Sequence, residues 1–391
     1  VITILAPGTP RSTSVKGGAG SGGTPFILIG PVSDDQAESV SSVNKAFISG
    51  LKCRHSFLLL QSTRTLGNTR QAALNVFNLW YFLIQASRWV CHLASKRPAL
   101  AHYAISSGWA MEKSLLLLRI ARLFRARTLG HLHSGGFLDF WRTLPPWRKR
   151  LALKALSRLD GIVVLSQGWR EAFSKTVGIP RDKLFVVNNP IDAAFEEQAL
   201  QIPISRTQKS LTVLSLGAMC KDKGTIETLE AMRLLRGKNV RLRMVGPERE
   251  PGIHRKVREF IGEHDLGEMI TLEASAWGPD KLEAFREASI FILPSYFENF
   301  PLVLLEAAAA GHAIITTPVG AVPEFFTHGE SALFIEPKNA RQLSNALSEL
   351  ISNVELRTRL AEASRRVFTS RLARSRIMDA MSQVYEDILH R

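Results

Sequence analysis

Cysteine is scarce in this 391-residue chain, and the three present, Cys53, Cys91 and Cys220, are too scattered for a disulfide framework or a zinc site. Their scarcity points to a reducing compartment and to core or inert thiols. No clean apolar run of ~20 residues occurs. The nearest approach, a long helical pattern over Thr69–Ala94, is interrupted by Asn78, Gln85 and Arg88, so a buried or interfacial helix is expected there instead of a bilayer span. No G-x-G-x-x-G follows the apolar runs that end at Gly30-Pro31 and at Gly217, which argues against a nicotinamide-dependent dehydrogenase. No Asp-x-Asp stands in a plausible metal position and no Cys/His cluster exists, so no metal and no cofactor are expected. The start at Val1 lacks the charged segment and long apolar core of a secretory leader, and a processed or trimmed start is expected.

Acid is missing altogether between Glu38 and Glu112. Residues 1–200 hold 25 Lys+Arg against 11 Asp+Glu, a net +14, while residues 201–391 hold 25 against 24, a net +1. Six of the seven tryptophans (80, 89, 109, 141, 147 and 169) share the basic half. Basic charge interleaved with Trp suits an anionic membrane surface and would also suit nucleic acid. No reading helix, zinc spacing or aromatic sheet motif supports the second alternative, so no nucleic acid partner is expected.

The length favours two domains, and a hydrophobic content of 45% fits a globular chain. Residues 1–25, rich in Gly, Ser, Thr and Pro, read as a flexible extension, from which Val1 to Leu5 could dock as an edge strand. From Phe26 apolar runs alternate with helical patterns, the mark of parallel α/β architecture. Strands are expected at 26–31, 56–60, 99–106, 127–133, 160–166 and 184–189, with helices at 41–51, 112–125 and 167–177. Trp141–Arg158 is a basic segment with an apolar stripe, either a solvated face or a membrane-contact helix. Residues 193–210, polar and carrying Pro203, read as a linker between a first domain at 26–192 and a second at 211–370.

The stretch Phe291–Gly320 organises the second domain. Ile290–Leu293 is a short buried strand ending in Pro294-Ser295, and Pro301 is suited to the first turn of a helix over Leu302–Ala310, closed by Gly311. Ala313–Thr317 is the next strand, with Pro318 and Gly320 as its turn. Glu298 waits in the loop, and Glu306 lies on the helix ~12 Å further along at 1.5 Å per residue. Between them the unpaired N–H groups of the helix start make a seat for phosphate. An elongated ligand with an anionic middle and hydroxyl-bearing ends fits this layout.

Ser295 through Gly311 match S-x-x-E-x-F-P-x-x-x-x-E-A-x-A-x-G position for position. On that motif the chain resembles the retaining glycosyltransferases of the two-Rossmann-domain GT-B type, group 4, over residues 26–391. The resemblance implies an α/β fold of two doubly wound domains facing across a cleft, with residues 371–391 a helix crossing back to the first domain. It implies transfer of a sugar from a nucleoside diphosphate donor, UDP- or GDP-linked, to a hydroxyl acceptor with retention. It further implies that Glu298 and His133 contact the donor sugar, that Glu306 holds the ribose, and that Lys223 with the helix start Asn299, Phe300, Pro301 and Leu302 neutralises the diphosphate. Gly217 stands where the family has its Gly-Arg pair, but Ala218 replaces the Arg, and Lys221 could compensate. Asp34–Ser39 replace a Gly-Gly pair common after the first strand. Ser275–Gly278 falls where such folds hold the nucleotide base. His131, two residues before His133 on one strand face, is the weaker candidate. A lipid-linked or saccharide acceptor, an anionic membrane surface and a peripheral cytoplasmic location follow from the basic first domain taken with the resemblance. A noncatalytic sugar-nucleotide-binding homologue is the alternative that Ala218 keeps open.

Overall fold

The computed structural model describes residues 4–5, 25–33, 39–61, 76–204 and 211–391. The glycine-rich stretch 6–24, residues 34–38 and the start of the helical pattern at Thr69 lie outside the described residues. The chain divides into two compact units, Val1–Pro190 with Ser375–Arg391, and Ile191–Arg374.

In the first unit β1 (Ile4–Leu5), β2 (Phe26–Val32), β3 (Ser56–Gln61), β4 (Leu100–Ile105), β5 (Arg127–Leu132), β6 (Gly161–Val164) and β7 (Leu184–Val186) lie in the order β1-β3-β2-β4-β5-β6-β7. All pairs are parallel except the outermost, in which β1 runs antiparallel to β3 as an edge strand. Parallel strands covered on both faces must be apolar along their whole length, and Ile27, Leu28 and Ile29 are fully buried. Helices Val76–Lys96, Trp109–Leu123 and Pro146–Leu156 pack side by side, the middle one touching both others.

Two expectations change here. Trp141–Arg158 is two helices, Phe137–Thr143 and Pro146–Leu156. Consecutive prolines force the break: Leu144 and Pro145 are extended, with ψ of 138° and 152°, because a proline disfavours helical backbone in the residue before it. Nor do the tryptophans act together. Of the six in the basic half, Trp89, Trp141 and Trp169 are core residues, and Trp80 and Trp147 stand well out into solvent. Cys53 and Cys91 are exposed free thiols, and only Cys220 is buried.

The helix Arg374–His390 supplies the first unit with a buried polar contact. The Tyr385 hydroxyl lies 2.8 Å from His102 Nδ1, and His102 Nε2 lies 3.2 Å from His131 Nδ1. At the helix surface Arg54 donates to Asp379 at 2.7 Å.

The second unit holds β8 (Leu211–Leu216), β9 (Val240–Val245), β10 (Ile270–Glu273), β11 (Ile290–Leu293), β12 (Ala313–Thr316) and β13 (Leu333–Phe334), all parallel, in the order β10-β9-β8-β11-β12-β13. This is the doubly wound order, and it reverses between β8 and β11. The expected linker begins instead with a helix, Ala193–Ala199, capped by Asp192 Oδ1 accepting from Phe195 N at 3.0 Å. Its Phe195 ring packs edge-on against Phe285 at 5.2 Å, so burial holds this segment to the second unit. Residues 205–210 lie outside the described residues. Among the described residues no helix is long and apolar enough to cross a membrane.

Buried histidines give this fold an acid limit. Burial holds His102 at about 3 and His312 at about 4, and keeps His131 well below the ordinary value of 6.5. A lowered folded pKa means that the unfolded chain binds the proton first, so stability is complete above pH 6.5 and falls as pH drops toward 4. Each such histidine contributes a slope of about 1.4 kcal/mol per pH unit inside that window. Denaturation followed from pH 7.5 to 4.5 should show that decline, reduced in His312→Gln. A flat profile would show that these rings are not buried neutral.

Candidate functional site

Ligands in doubly wound folds bind outside the carboxyl ends of the strands where the strand order reverses. In the second unit that place lies beyond β8 and β11. The loop after β8 carries Gly217, Lys221 and Lys223, and the loop after β11 carries Ser295 to Pro301. Two glycines set how closely these loops approach. Gly224 has a φ of 70°, and a Cβ there would collide with the Pro294 carbonyl oxygen. Gly320, in the loop after β12, has a φ of 60°, and a Cβ there would collide with the carbonyl oxygen of Glu298. Both positions therefore need glycine for backbone angle and for space.

The approach brings two sequence candidates together. Lys223 Nζ donates to Glu298 Oε1, which also accepts from the fully buried Ser295 hydroxyl at 2.8 Å. Thr317 Oγ1 donates to the Ser295 carbonyl at 2.6 Å, tying in the loop after β12. Tyr296 donates its hydroxyl to Glu227 Oε1 at 2.5 Å, and burial first, then this carboxylate, pushes its pKa up.

Glu306 is held apart from that cluster. Its Oε1 accepts from Lys281 Nζ at 2.6 Å, and its Oε2 is buried without a hydrogen-bond partner among the described residues. Burial raises its pKa, and the nearby ammonium of Lys281 opposes the rise. Lys281 also lies 4.9 Å from the centre of the Phe195 ring. A carboxylate with one oxygen committed and the other open inside a buried site is chemically suited to accept from a ligand hydroxyl.

The helix between the two acids spans Leu302–Ala309. Pro301 stands one position earlier than expected, as the N-cap: its ψ of 113° is extended, so the helix begins at Leu302. No side chain caps this start and no acid lies in the first turn, which leaves the positive end of the helix dipole uncompensated. Phe300 is buried edge-on against Phe325 at 5.4 Å, and the Asn299 carbonyl accepts from Ala321 N at 3.0 Å. Gly217 follows β8 with its N–H bonded to Val245 O at 2.9 Å and open space beside its α-carbon. Lys221 is exposed, and its backbone N–H reaches Glu250 at 3.0 Å. Trp277 precedes the helix Gly278–Glu287 that carries Lys281, and its side chain is exposed.

In the first unit His133 directly follows β5, its N–H bonded to Ile105 O at 3.1 Å. The residue is half-buried with its Nε2 buried, and burial lowers its pKa to about 4. His131 is wholly buried, with its ring 4.0 Å from that of His133. His131 thus belongs to the core row that ends at Tyr385.

Sequence reasoning missed three contributors. Ser295 was visible as the first residue of the motif but carried no assigned role. Lys281 and the Tyr296–Glu227 pair had no signal, because their partners lie 25 and 69 residues away along the chain. Among the described residues no three His, Cys, Asp or Glu side chains converge as metal ligands.

Residues 197–367 match the family model of the glycosyl transferases group 1, and residues 66–195 match that of glycosyltransferase family 4. Glycogen synthase of Mycobacterium tuberculosis is 27% identical over 237 residues, covering 58% of this chain and 54% of that protein. The N,N'-diacetylbacillosaminyl-diphospho-undecaprenol alpha-1,3-N-acetylgalactosaminyltransferase of Campylobacter jejuni is 30% identical over 188 residues, covering 48% and 47%. The chain spans about half the length of the curated relatives it matches. Two solved structures share the fold at low identity. A glycosyltransferase from Rickettsia africae has a TM-score of 0.73 at 18% identity, covering 93% of this chain and 98% of that one. HepE of Anabaena, in complex with UDP-glucose, has a TM-score of 0.70 at 15% identity, covering 93% and 100%.

The Lys281–Glu306 pair yields a direct test of the site's electrostatics. Removing one partner of a buried pair strands the other charge, at about 3–5 kcal/mol, whereas replacing both by apolar residues is close to neutral. Lys281→Met should therefore destabilise the second unit strongly, and Lys281→Met with Glu306→Leu should recover most of the loss in chemical denaturation. Equal stability of the single variant and wild type would mean that the pair is solvated.

Proposed function

Because this chain has the GT-B fold and belongs to the group 1 glycosyl transferases of family 4, we propose that it moves a sugar from a nucleoside diphosphate donor to a hydroxyl acceptor with retention at the anomeric carbon. The observation that carries this reading is the set of groups at the strand-order reversal of the second unit: an uncapped helix start flanked by Lys223–Glu298 and by Lys281–Glu306. The anionic middle of the donor needs cationic and N–H partners, and its two sugars need acceptors for their hydroxyls.

In this reading the diphosphate takes the helix start at Asn299 to Leu302, with Lys223 and exposed Lys221 as its cations and Gly217 admitting its backbone-side approach. Lys223 must then turn from Glu298 toward phosphate, which frees a Glu298 oxygen for the donor sugar. Glu306 uses Oε2 for the ribose, with Lys281 holding Oε1 and opposing the upward push of burial on the carboxyl. His133 keeps the role that the resemblance implies, a hydrogen bond to the donor sugar. The bond from the anomeric carbon to the phosphate oxygen breaks as the bond to the acceptor oxygen forms on the same face. The acceptor proton passes to the departing phosphate oxygen. Stabilising the charge that develops on that leaving group is the principal catalytic requirement. Lys223 and the helix start meet it, so the reading is independent of metal.

The acceptor is proposed as a lipid-linked glycan used at the cytoplasmic face of a membrane, in cell-surface polysaccharide synthesis. The lipid-diphosphate acceptor in the name of the Campylobacter relative and the basic first unit support it. Ala218, which brings no cation to the diphosphate, favours one second reading, a sugar-nucleotide-binding homologue without turnover.

Turnover separates the two. Screened with α-linked UDP- and GDP-sugars against lipid-linked and free saccharide acceptors, the chain should release nucleoside diphosphate and form an α-linked product by NMR, with activity persisting in EDTA. A β-linked product contradicts retention. Loss in EDTA with rescue by magnesium or manganese contradicts metal independence, and binding without product favours the homologue.

A further inference from the structure

The first unit has a face that the sugar-transfer site does not use. Helices Val76–Lys96, Trp109–Leu123 and Pro146–Leu156 turn their buried sides inward, yet each also places large apolar side chains in solvent. The first helix exposes Trp80 (63%) and Leu83 (53%), one turn apart. The middle helix exposes Leu116 and, two turns on, Leu123 (76%), opposite its buried Leu117, Leu118 and Ala121. The third exposes Trp147 (63%) and Leu151 (62%), again one turn apart. Exposed large apolar residues on three neighbouring helices call for an explanation that scattered single ones do not.

Charge on the same helices is one-sided. They contain nine Lys and Arg and a single acid, Glu112, which is paired with Arg148. Lys149 is also engaged, donating to Arg142 O at 3.0 Å. The exposed cations include Arg119, between Leu116 and Leu123 in sequence, and Arg150 and Lys154, close in sequence to Trp147 and Leu151.

We propose that this three-helix face inserts into the headgroup region of an anionic lipid bilayer, its leucines and tryptophans entering the acyl boundary and its arginines and lysines meeting lipid phosphates. The composition selects this occupant over others. A second copy of the chain would bring the same positive charge to the contact. Nucleic acid would satisfy the cations but leave the leucines against a charged backbone, and aliphatic side chains give no stacking platform for bases. Apolar anchors with interspersed cations are what an interfacial helix surface requires. The proposal extends the lipid-linked acceptor reading above, and its test is separable from that reading because the variants leave the donor site untouched.

The full chain should sediment with vesicles of equal parts phosphatidylcholine and phosphatidylglycerol, more weakly at raised salt, and not with phosphatidylcholine alone. The surface variant Trp80→Ser, Trp147→Ser, Leu151→Ser should lose affinity by more than about tenfold, since each removes a large apolar contact with lipid. Arg119→Ser, Arg150→Ser, Lys154→Ser should lose the salt-dependent part. Both should keep wild-type circular dichroism and nucleoside diphosphate binding. Binding of the apolar variant equal to wild type overturns the proposal. So does a wild-type dimer that the apolar variant converts to monomer, or binding to duplex or single-stranded DNA that the apolar variant loses. Failure to bind any nucleoside diphosphate, with vesicle binding intact, would sink the transferase reading and leave this face standing.

Discussion

The candidate site depends on how closely three loops can approach at the carboxyl ends of β8, β11 and β12. Gly224 lies against the Pro294 carbonyl and Gly320 against the Glu298 carbonyl, and neither position has room for a methyl group. That constraint lets Lys223, from one loop, meet Glu298, from another, across a sequence separation of 75 residues. Ser295 and Thr317 then fix the same junction with hydrogen bonds of 2.8 and 2.6 Å. The site is preorganised by backbone contact, and its charged side chains are left to exchange partners when an anion arrives.

Two different electrostatic designs coexist in the second unit. Lys223 and Glu298 form a pair at a loop junction in which only the lysine end has appreciable access to solvent, while Ser295 also holds the carboxylate. Lys281 and Glu306 are more deeply set, and burial alone would push the Glu306 carboxyl toward its neutral form. The first pair suits a switch between resting and ligand-bound states. The second suits a fixed acceptor of hydrogen bonds from ligand hydroxyls, one of its oxygens held in place by the Lys281 ammonium.

Sequence reasoning reached furthest where one segment contains its own chemistry. Ser295–Gly311 shows strand end, loop acid, helix start and helix acid in order, and the parallel strands of the first sheet and the β11–β12 pair of the second follow from apolar runs. It fell short where the deciding contact is remote. The helix Ala193–Ala199 looked like linker because its stabilising partner, Phe285, lies far along the chain. Trp89, Trp141 and Trp169 looked like interface residues because composition does not say which side of a helix faces the core. Alternation puts His131 and His133 on one strand face, and the row through His102 to Tyr385 shows why the weaker candidate, His131, is a core residue.

The central claim is that Glu306 binds the donor and Glu298 acts on its reacting sugar. UDP, GDP and ADP would be titrated calorimetrically into wild type, Glu306→Ala and Glu298→Ala, each confirmed folded, and turnover measured with the donor whose nucleotide binds. The account predicts that Glu306→Ala weakens nucleotide binding by about 1.5–3 kcal/mol, the worth of a hydrogen bond to a charged group. Glu298→Ala should leave nucleotide affinity close to wild type and lower kcat, since its contact strengthens as positive charge develops on the sugar. Wild-type affinity and kcat in both variants would contradict the account.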